Sequence, residues 1–348
     1  MPCPALLARY PSIGGGCNGD FDVTYRDIAE ADARLRRVVH RTPLQHSSTF
    51  SAMSGCEVFL KLENLQKTGA FKIRGAYNKV ASLAPDARAR GVITASAGNH
   101  AQGVAMAAFR FGVQATVVMP EGAPQAKIEA TRGYGAEVVL TGQTYDESYA
   151  AALEMAEREK VTFIHAFDDP YVIAGQGTVG LEILEELPYA DALIVPVGGG
   201  GLISGIAVAA KTIKPDIRII GVQAQNAPAA HDSWRKGLRL DVPATRTLAD
   251  GLAVRRPGEL TFHLMQRYVD DMVLVSEEAI AAAIRLFLER AKLLVEGAGA
   301  AALAALLGGE LAYLRGQRVV LVVSGGNVDL SRLTTLATAP KTPMGTAT

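Results

Sequence analysis

A lysine set among apolar neighbours can serve as a nucleophile, and the stretch from Lys61 to Ala76, KLENLQKTGAFKIRGA, contains one. Lys72 follows Gly69-Ala70, lies between Phe71 and Ile73, and stands where a turn runs into a helix continuing through Arg74, Ala76 and Val80. Desolvation disfavours the ammonium form, so a lysine there can have its pKa lowered, and a neutral amine can form a Schiff base. Taken alone, the plainer expectation is a helix-end lysine whose stem lies along the core while its ammonium reaches water.

Further along, three glycine-bearing loops each follow an apolar run. Val197-Gly198-Gly199-Gly200-Gly201-Leu202 leads into a helical pattern. Successive glycines let backbone N–H groups approach an anion closely, and the positive end of a helix dipole favours phosphate there. No Gly-Lys-Ser/Thr follows and the GxGxxG spacing is missing, so this is neither a Walker loop nor a dinucleotide fingerprint; a tight turn without a ligand is the plain alternative. Ser96-Ala97-Gly98-Asn99-His100 also precedes a helix. Its Ser and Asn are ordinary capping residues. The sharper reading is a carboxylate cradle of backbone N–H groups and Ser96, with the Asn99 amide facing a second polar ligand atom and His100 either in the loop or in the core. Ser324-Gly325-Gly326-Asn327 ends the last apolar run. Its serine can donate a hydrogen bond to a ring nitrogen or cap a turn.

The elements that must position these groups follow from periodicity. Residues 24 to 40 carry apolar positions at helical spacing, with Thr24 as N-cap and Asp27 in the first turn, and Arg41-Thr42-Pro43 stops that helix. Glu57 to Glu63 alternates as a strand that delivers the chain to Lys72. From Gly91 the pattern alternates regularly: strands at 91–96, 115–119, 137–140 and 162–165, with helices at 99–111, 124–132 and 145–158. It continues as helix 171–187, strand 192–197, helix 202–213, strand 218–223, an irregular stretch over 227–257, strand 271–275, helices 277–290 and 299–307, and strand 318–323. Such alternation predicts an α/β fold of two open, mainly parallel sheets with helices on both faces. We expect a small domain over 86–167 inserted in a larger one made of 20–85 and 168–335, with a flexible arm over 1–19 and a tail over 336–348. In open sheets ligands bind beyond the carboxyl ends of strands, which selects the loops after Ser96, Val197 and Val323.

Composition narrows the partners. Lys plus Arg and Asp plus Glu both number 35, so no net charge steers the chain to nucleic acid or an anionic membrane; a small neutral or zwitterionic ligand fits better. Cys3, Cys17 and Cys56 are widely spaced, which argues against a disulfide framework or zinc cluster and for a reducing compartment. The N-terminal segment lacks the basic leader and apolar core of a signal peptide, and no apolar run reaches membrane-spanning length. A cytoplasmic protein is expected.

GAFKIRGA, SAGNHAQG, VGGGGL, TLADGLAV, EGAGA and SGGN stand in an order and spacing that resembles the tryptophan-synthase-β type of pyridoxal-phosphate enzymes, and within them the threonine/serine dehydratases. The resemblance runs from about Phe21 to Leu333. It implies pyridoxal 5'-phosphate as cofactor, Lys72 as its Schiff-base lysine and catalytic base, and Phe71 against its ring. Asn99 is then the partner of its phenolic oxygen, Gly198, Gly199, Gly200, Gly201 and Leu202 its phosphate cup, and Ser324 the partner of its pyridine nitrogen. Ser96, Ala97, Gly98, Asn99 and His100 form the loop for the substrate carboxylate. A serine, unlike an aspartate, cannot electrostatically hold the pyridine nitrogen protonated, which favours prompt loss of a β-substituent.

The implied reaction is dehydration and deamination of L-threonine, and of L-serine, to a 2-oxo acid and ammonia. Alternatives are a bulkier β-hydroxy amino acid such as phenylserine or hydroxyaspartate, or serine racemisation. In the related racemases a second serine serves the opposite face of the α-carbon, and here that position is Ala97. Those relatives also carry acidic metal ligands where this chain reads GVQAQNAPAA with Gln223, so no divalent-metal site is expected. The resemblance further implies a homo-oligomer, dimer or tetramer.

Overall fold

Apolar runs such as RVVLVV have no polar face to offer water and settle as strands covered on both sides. The fold is that of a computed structural model, which describes residues 22–329; the arm expected over 1–19 and the tail over 336–348 lie outside the described residues. The strands are β1 (Leu44–His46), β2 (Glu57–Leu62), β3 (Val92–Ala95), β4 (Ala115–Met119), β5 (Glu137–Leu140), β6 (Thr162–Phe163), β7 (Ala192–Pro196), β8 (Arg218–Ala224), β9 (Asp271–Val275) and β10 (Arg318–Val323). They form a six-stranded sheet in the order β1-β2-β10-β7-β8-β9 and a four-stranded sheet in the order β5-β4-β3-β6. Only the β1–β2 pair is antiparallel. The smaller sheet is drawn from the continuous stretch 92–163, the larger from strands on either side of it. Among the described residues no helix is long and apolar enough to cross a membrane.

The strands at 115–119, 137–140, 271–275 and 318–323 fall at the bounds the alternation predicts. Three differences have identifiable causes, two local and one long-range. The first helix, Tyr25–Leu35, starts as expected with a capping box between Thr24 and Asp27, but stops short of residue 40. Arg37 takes a left-handed φ of 65° and leaves Val38 and Val39 in a turn on the Leu35 carbonyl. The stretch 227–257 contains a helix, Ala229–Lys236, too short for periodicity to reveal. The helix Glu259–Tyr268 has no cap of its own; Asp168 accepts from the N–H groups of Glu259 at 2.8 Å and Thr261 at 3.1 Å, a cap supplied from some ninety residues away.

The helix Pro170–Glu186 is the spine between the layers. Asp169 caps it by accepting from the N–H groups of Tyr171 and Val172, Pro170 occupies its first turn, and most of its residues are buried. The helix that begins with Lys72, Lys72–Ser82, crosses this spine at two glycines. A Cβ on Gly175 would lie 2.6 Å from the Arg74 carbonyl oxygen and from the Gly75 Cα, so the backbones meet there with no side chain between them.

Behind Lys72 the same helix is anchored by a charge network. Arg74 is fully buried and donates to Glu63 through Nε at 2.8 Å and Nη2 at 2.7 Å, and to Glu182 through Nη1 at 2.6 Å and Nη2 at 2.9 Å. Lys61, also fully buried, donates to Glu182 at 2.6 Å and to the Thr42 carbonyl at 2.7 Å. Two cations face two carboxylates, so the cluster is neutral. Burial alone would raise the Glu63 carboxyl, but the Arg74 guanidinium, with the Lys61 ammonium and the Thr42 hydroxyl, offsets that and holds it below its ordinary value.

Candidate active site

The turn that carries Lys72 is fastened to the loop after β10 by its backbone. Ala70 and Gly325 form an antiparallel bridge, the Gly326 N–H donates to the Gly69 carbonyl at 2.8 Å, and the Phe71 N–H donates to the Ser324 carbonyl at 3.2 Å. Gly69 adopts a φ of 70°, a left-handed turn that strains other residues, and releases the chain into the helix. On its far side the helix Asn99–Phe111 presses close: a Cβ on Gly103 would lie 3.2 Å from the Lys72 carbonyl carbon. Lys72, Phe71, Ser324 and the start of the Asn99 helix are therefore brought together.

The Lys72 amine donates to the Ala166 carbonyl at 2.8 Å and stands 5.2 Å from the centre of the Phe71 ring. Removal from water pulls it down from the ordinary 10.5 to about 8, and the Glu296 carboxylate partly opposes that. It is not the solvated ammonium of the plainer expectation.

Ala166 leads directly to the glycine loop. The next residue, Phe167, packs its ring where a Cβ on Gly199 would stand, and its carbonyl oxygen lies 2.9 Å from the Cβ position of Gly201. Gly200 has a φ of 97° and is the N-cap of the helix Gly201–Ile213 without a side-chain capping bond. The first amides of that helix, including Leu202, have no partner inside it and point out of its positive end. Thr261 Oγ1 donates to the Gly199 carbonyl at 2.7 Å and closes the other wall. Substituting Gly199→Ala is expected to push Phe167 aside and cost about 1–3 kcal/mol, read as a lower unfolding midpoint, together with weaker cofactor uptake in an absorbance titration.

At the end of β3 the Gly98 N–H donates to the Ser96 hydroxyl at 3.2 Å, and a Cβ on Gly98 would meet nothing within 4 Å, so Gly98 borders open space, while Ala97 is half-buried against the core of the smaller sheet. Asn99 turns its amide toward the other loops: Nδ2 donates to Glu296 Oε1 at 2.7 Å and Oδ1 accepts from Asn327 Nδ2 at 2.8 Å. His100 takes the core alternative. Its Nε2 lies 3.1 Å from the Ile164 carbonyl oxygen, which places the ring proton there, and burial with the nearby Lys72 charge lowers it to about 3. At the end of β8, Gln223 Oε1 accepts the His231 N–H at 2.9 Å, and among the described residues no group of three or more His, Cys, Asp or Glu side chains gathers as a metal site.

Four helices that begin around Lys72, at Lys72, Asn99, Gly201 and Gly297, lack a side-chain capping bond. Those starting at Pro85, Gln125, Ala229 and Glu259 also lack one from their own N-cap residue, whereas those starting at Tyr25, Ser48, Tyr145, Pro170 and Glu277 have one, so it is the convergence of the four and not the missing caps that sets this place apart. Uncapped N-termini turned to one place make it attractive to anionic groups. Glu296 is the residue that motif spacing alone left without a role: it is buried, precedes the helix Gly297–Gly308, and its carboxyl is raised to about 8 by burial and by the Asp250 charge. Phe167 and Asp168 gave no signal in the sequence, because their contacts with the glycine loop and the helix after it are purely tertiary.

This donor set fits pyridoxal phosphate. A neutralisable amine is available for its aldehyde, a wall of glycines at a helix N-terminus for its phosphate, and an amide and a serine for its ring. The model of the family described as pyridoxal-phosphate dependent enzyme matches residues 35–325. The chain is 54% identical over 311 residues, 89% of its length and 77% of the relative's, to the L-threonine ammonia-lyase of Thermotoga maritima. It is 49% identical over 315 residues, 90% of its length and 96% of the relative's, to the catabolic L-threonine dehydratase TdcB of Escherichia coli K12. A solved threonine deaminase from T.th. aligns with a TM-score of 0.83 at 43% identity, covering 88% of this chain and 99% of that one. Maize serine racemase aligns with a TM-score of 0.87 at 39% identity, covering 90% and 97%. With the family match running from residue 35, before the Lys72 turn, to residue 325, in the loop after β10, the chain belongs to the pyridoxal-phosphate dependent enzymes.

Proposed function

We propose that this enzyme is a threonine/serine ammonia-lyase, converting L-threonine to 2-oxobutanoate and ammonia and L-serine to pyruvate. The observation that carries the reading is the Lys72 amine, drawn to about 8 by burial and fixed against the strand-end loops. The similarity to ammonia-lyases at about half identity supports it. When bound, pyridoxal phosphate supplies a carbonyl for the substrate amine and an electron sink for the α-carbon.

The chain's own groups do the rest. The backbone and hydroxyl around Ser96, Ala97 and Gly98 hold the substrate carboxylate beside the open space there. Asn99 would donate to the ring oxygen, Gly198 to Leu202 would hold the phosphate with backbone N–H groups, and Ser324 would serve the ring nitrogen without protonating it. Lys72, drawn down by burial so that its neutral amine is within reach near neutral pH, removes the α-proton as general base. Ala97 has no proton to return on the opposite face, which favours elimination over racemisation. The stretch 86–167 is the small domain inserted in the larger one, and the enzyme works in the cytoplasm as a dimer or tetramer.

An oxo-acid release assay across L-threonine, L-serine, phenylserine and hydroxyaspartate, with chiral analysis of recovered serine, tests the reading. Turnover greatest with L-threonine is expected. D-serine accumulating without oxo acid would refute it in favour of an isomerase.

A further inference from the structure

Asn99 can face a ligand only if its amide is held one way round, and two neighbouring side chains hold it so. An asparagine amide has two N–H donors and one oxygen acceptor. Glu296 Oε1 takes one Nδ2 hydrogen at 2.7 Å, and Asn327 Nδ2 donates to Oδ1 at 2.8 Å. Asn327 cannot reverse its own role, because the same Nδ2 also donates to the Thr68 carbonyl at 2.7 Å. Rotating the Asn99 amide by half a turn would set its NH2 against the Asn327 NH2, two donors with no acceptor between them, and would turn the Nδ2 hydrogen away from Glu296 Oε1. One Nδ2 hydrogen of Asn99 is left over, with a fixed direction.

We infer that Glu296, seconded by Asn327, is a positioning residue that fixes the Asn99 amide so its remaining N–H is presented to the bound cofactor. This rests on the reading above that Asn99 faces that cofactor. The clasp joins the start of the Asn99 helix, the loop after β10 and the start of the Gly297 helix. Glu296 is buried, and a Cβ on Gly325 would collide with its Oε1, so the carboxyl is wedged against the loop with little freedom to turn away. Burying a carboxyl is costly where an apolar side chain would fill the same space, and an acceptor for Asn99 is the return.

Cofactor-free wild type, Glu296→Ala, Glu296→Gln, Asn327→Ala, Asn99→Ala and the Asn99→Ala/Glu296→Ala double variant are titrated with pyridoxal phosphate, following the near-visible absorbance for Kd and band position. Glu296→Ala is expected to weaken Kd about tenfold, Glu296→Gln, which keeps an acceptor oxygen, by less than about threefold, and the double variant no more than Asn99→Ala alone. Asn327→Ala should weaken it by the same route, which keeps the test decisive if Glu296→Ala does not fold. Losses that add in the double variant, or a lowered unfolding midpoint with Kd and band unchanged, overturn the inference and leave the functional reading intact. Wild type that takes up no absorbance overturns both.

Discussion

Replacing Lys72 by alanine is expected to abolish oxo-acid release, by at least about a thousandfold, because one atom serves as both attachment point and general base. The near-visible band should vanish with it. Lysine at its ordinary 10.5 is neutral in roughly one molecule in three thousand at pH 7, whereas an amine at about 8 is neutral in roughly one in ten. Uptake of the aldehyde by cofactor-free protein should therefore rise with pH and level off above about 8. The same displacement affects stability. Between about 8 and 10.5 the unfolded chain binds a proton that the folded one has released, so the cofactor-free protein gains stability from Lys72 as pH rises through that window. Denaturation midpoints of the wild type relative to Lys72→Met, measured from pH 7 to 10, check the sign. A constant difference would contradict a lowered pKa.

Removing Arg74 is expected to have the largest effect on the fold itself. Arg74→Leu leaves Glu63 and Glu182 buried with only Lys61 to balance them, a loss of about 3–5 kcal/mol. Arg74→Lys should recover little, since a single ammonium cannot serve two carboxylates at once as the fork does. The exposed pair Arg26–Glu30 provides the contrast: Arg26→Ala should move the urea midpoint hardly at all. Because Arg74 lies two residues beyond Lys72 in one helix, Arg74→Leu should also displace the amine and lower turnover in whatever fraction still folds. An Arg74→Leu protein as stable as wild type would mean that the cluster relaxes or neutralises in a way this geometry does not provide.

The alternation of apolar runs with helical periods made the sheets legible from the sequence, because strands such as β4 and β10 have no polar face and can only be interior. Glycine-rich strand ends marked where a ligand would sit, and Lys72 stood out once those loops were read together. Long-range contacts were invisible. Asp168 caps a helix far along the chain, Phe167 fills the space left by Gly199, and Glu296 reaches Asn99 across 197 residues. Each depends on two segments meeting, which no local pattern encodes. The buried network was hidden for the same reason, since no local pattern shows that Lys61, Glu63, Arg74 and Glu182 meet. His100 illustrates the reverse case: its place in the SAGNH loop points to the ligand, while its ring turns inward to the Ile164 carbonyl.

Every step assigned to this site requires that the amine of Lys72 hold the cofactor. Reducing the yellow holoenzyme with borohydride and mapping its peptides by mass spectrometry shows where the cofactor is attached. A single pyridoxyl group on the peptide containing Phe71-Lys72-Ile73 is the expected result. Attachment at another lysine, or an enzyme that turns over threonine without any such adduct, would contradict it.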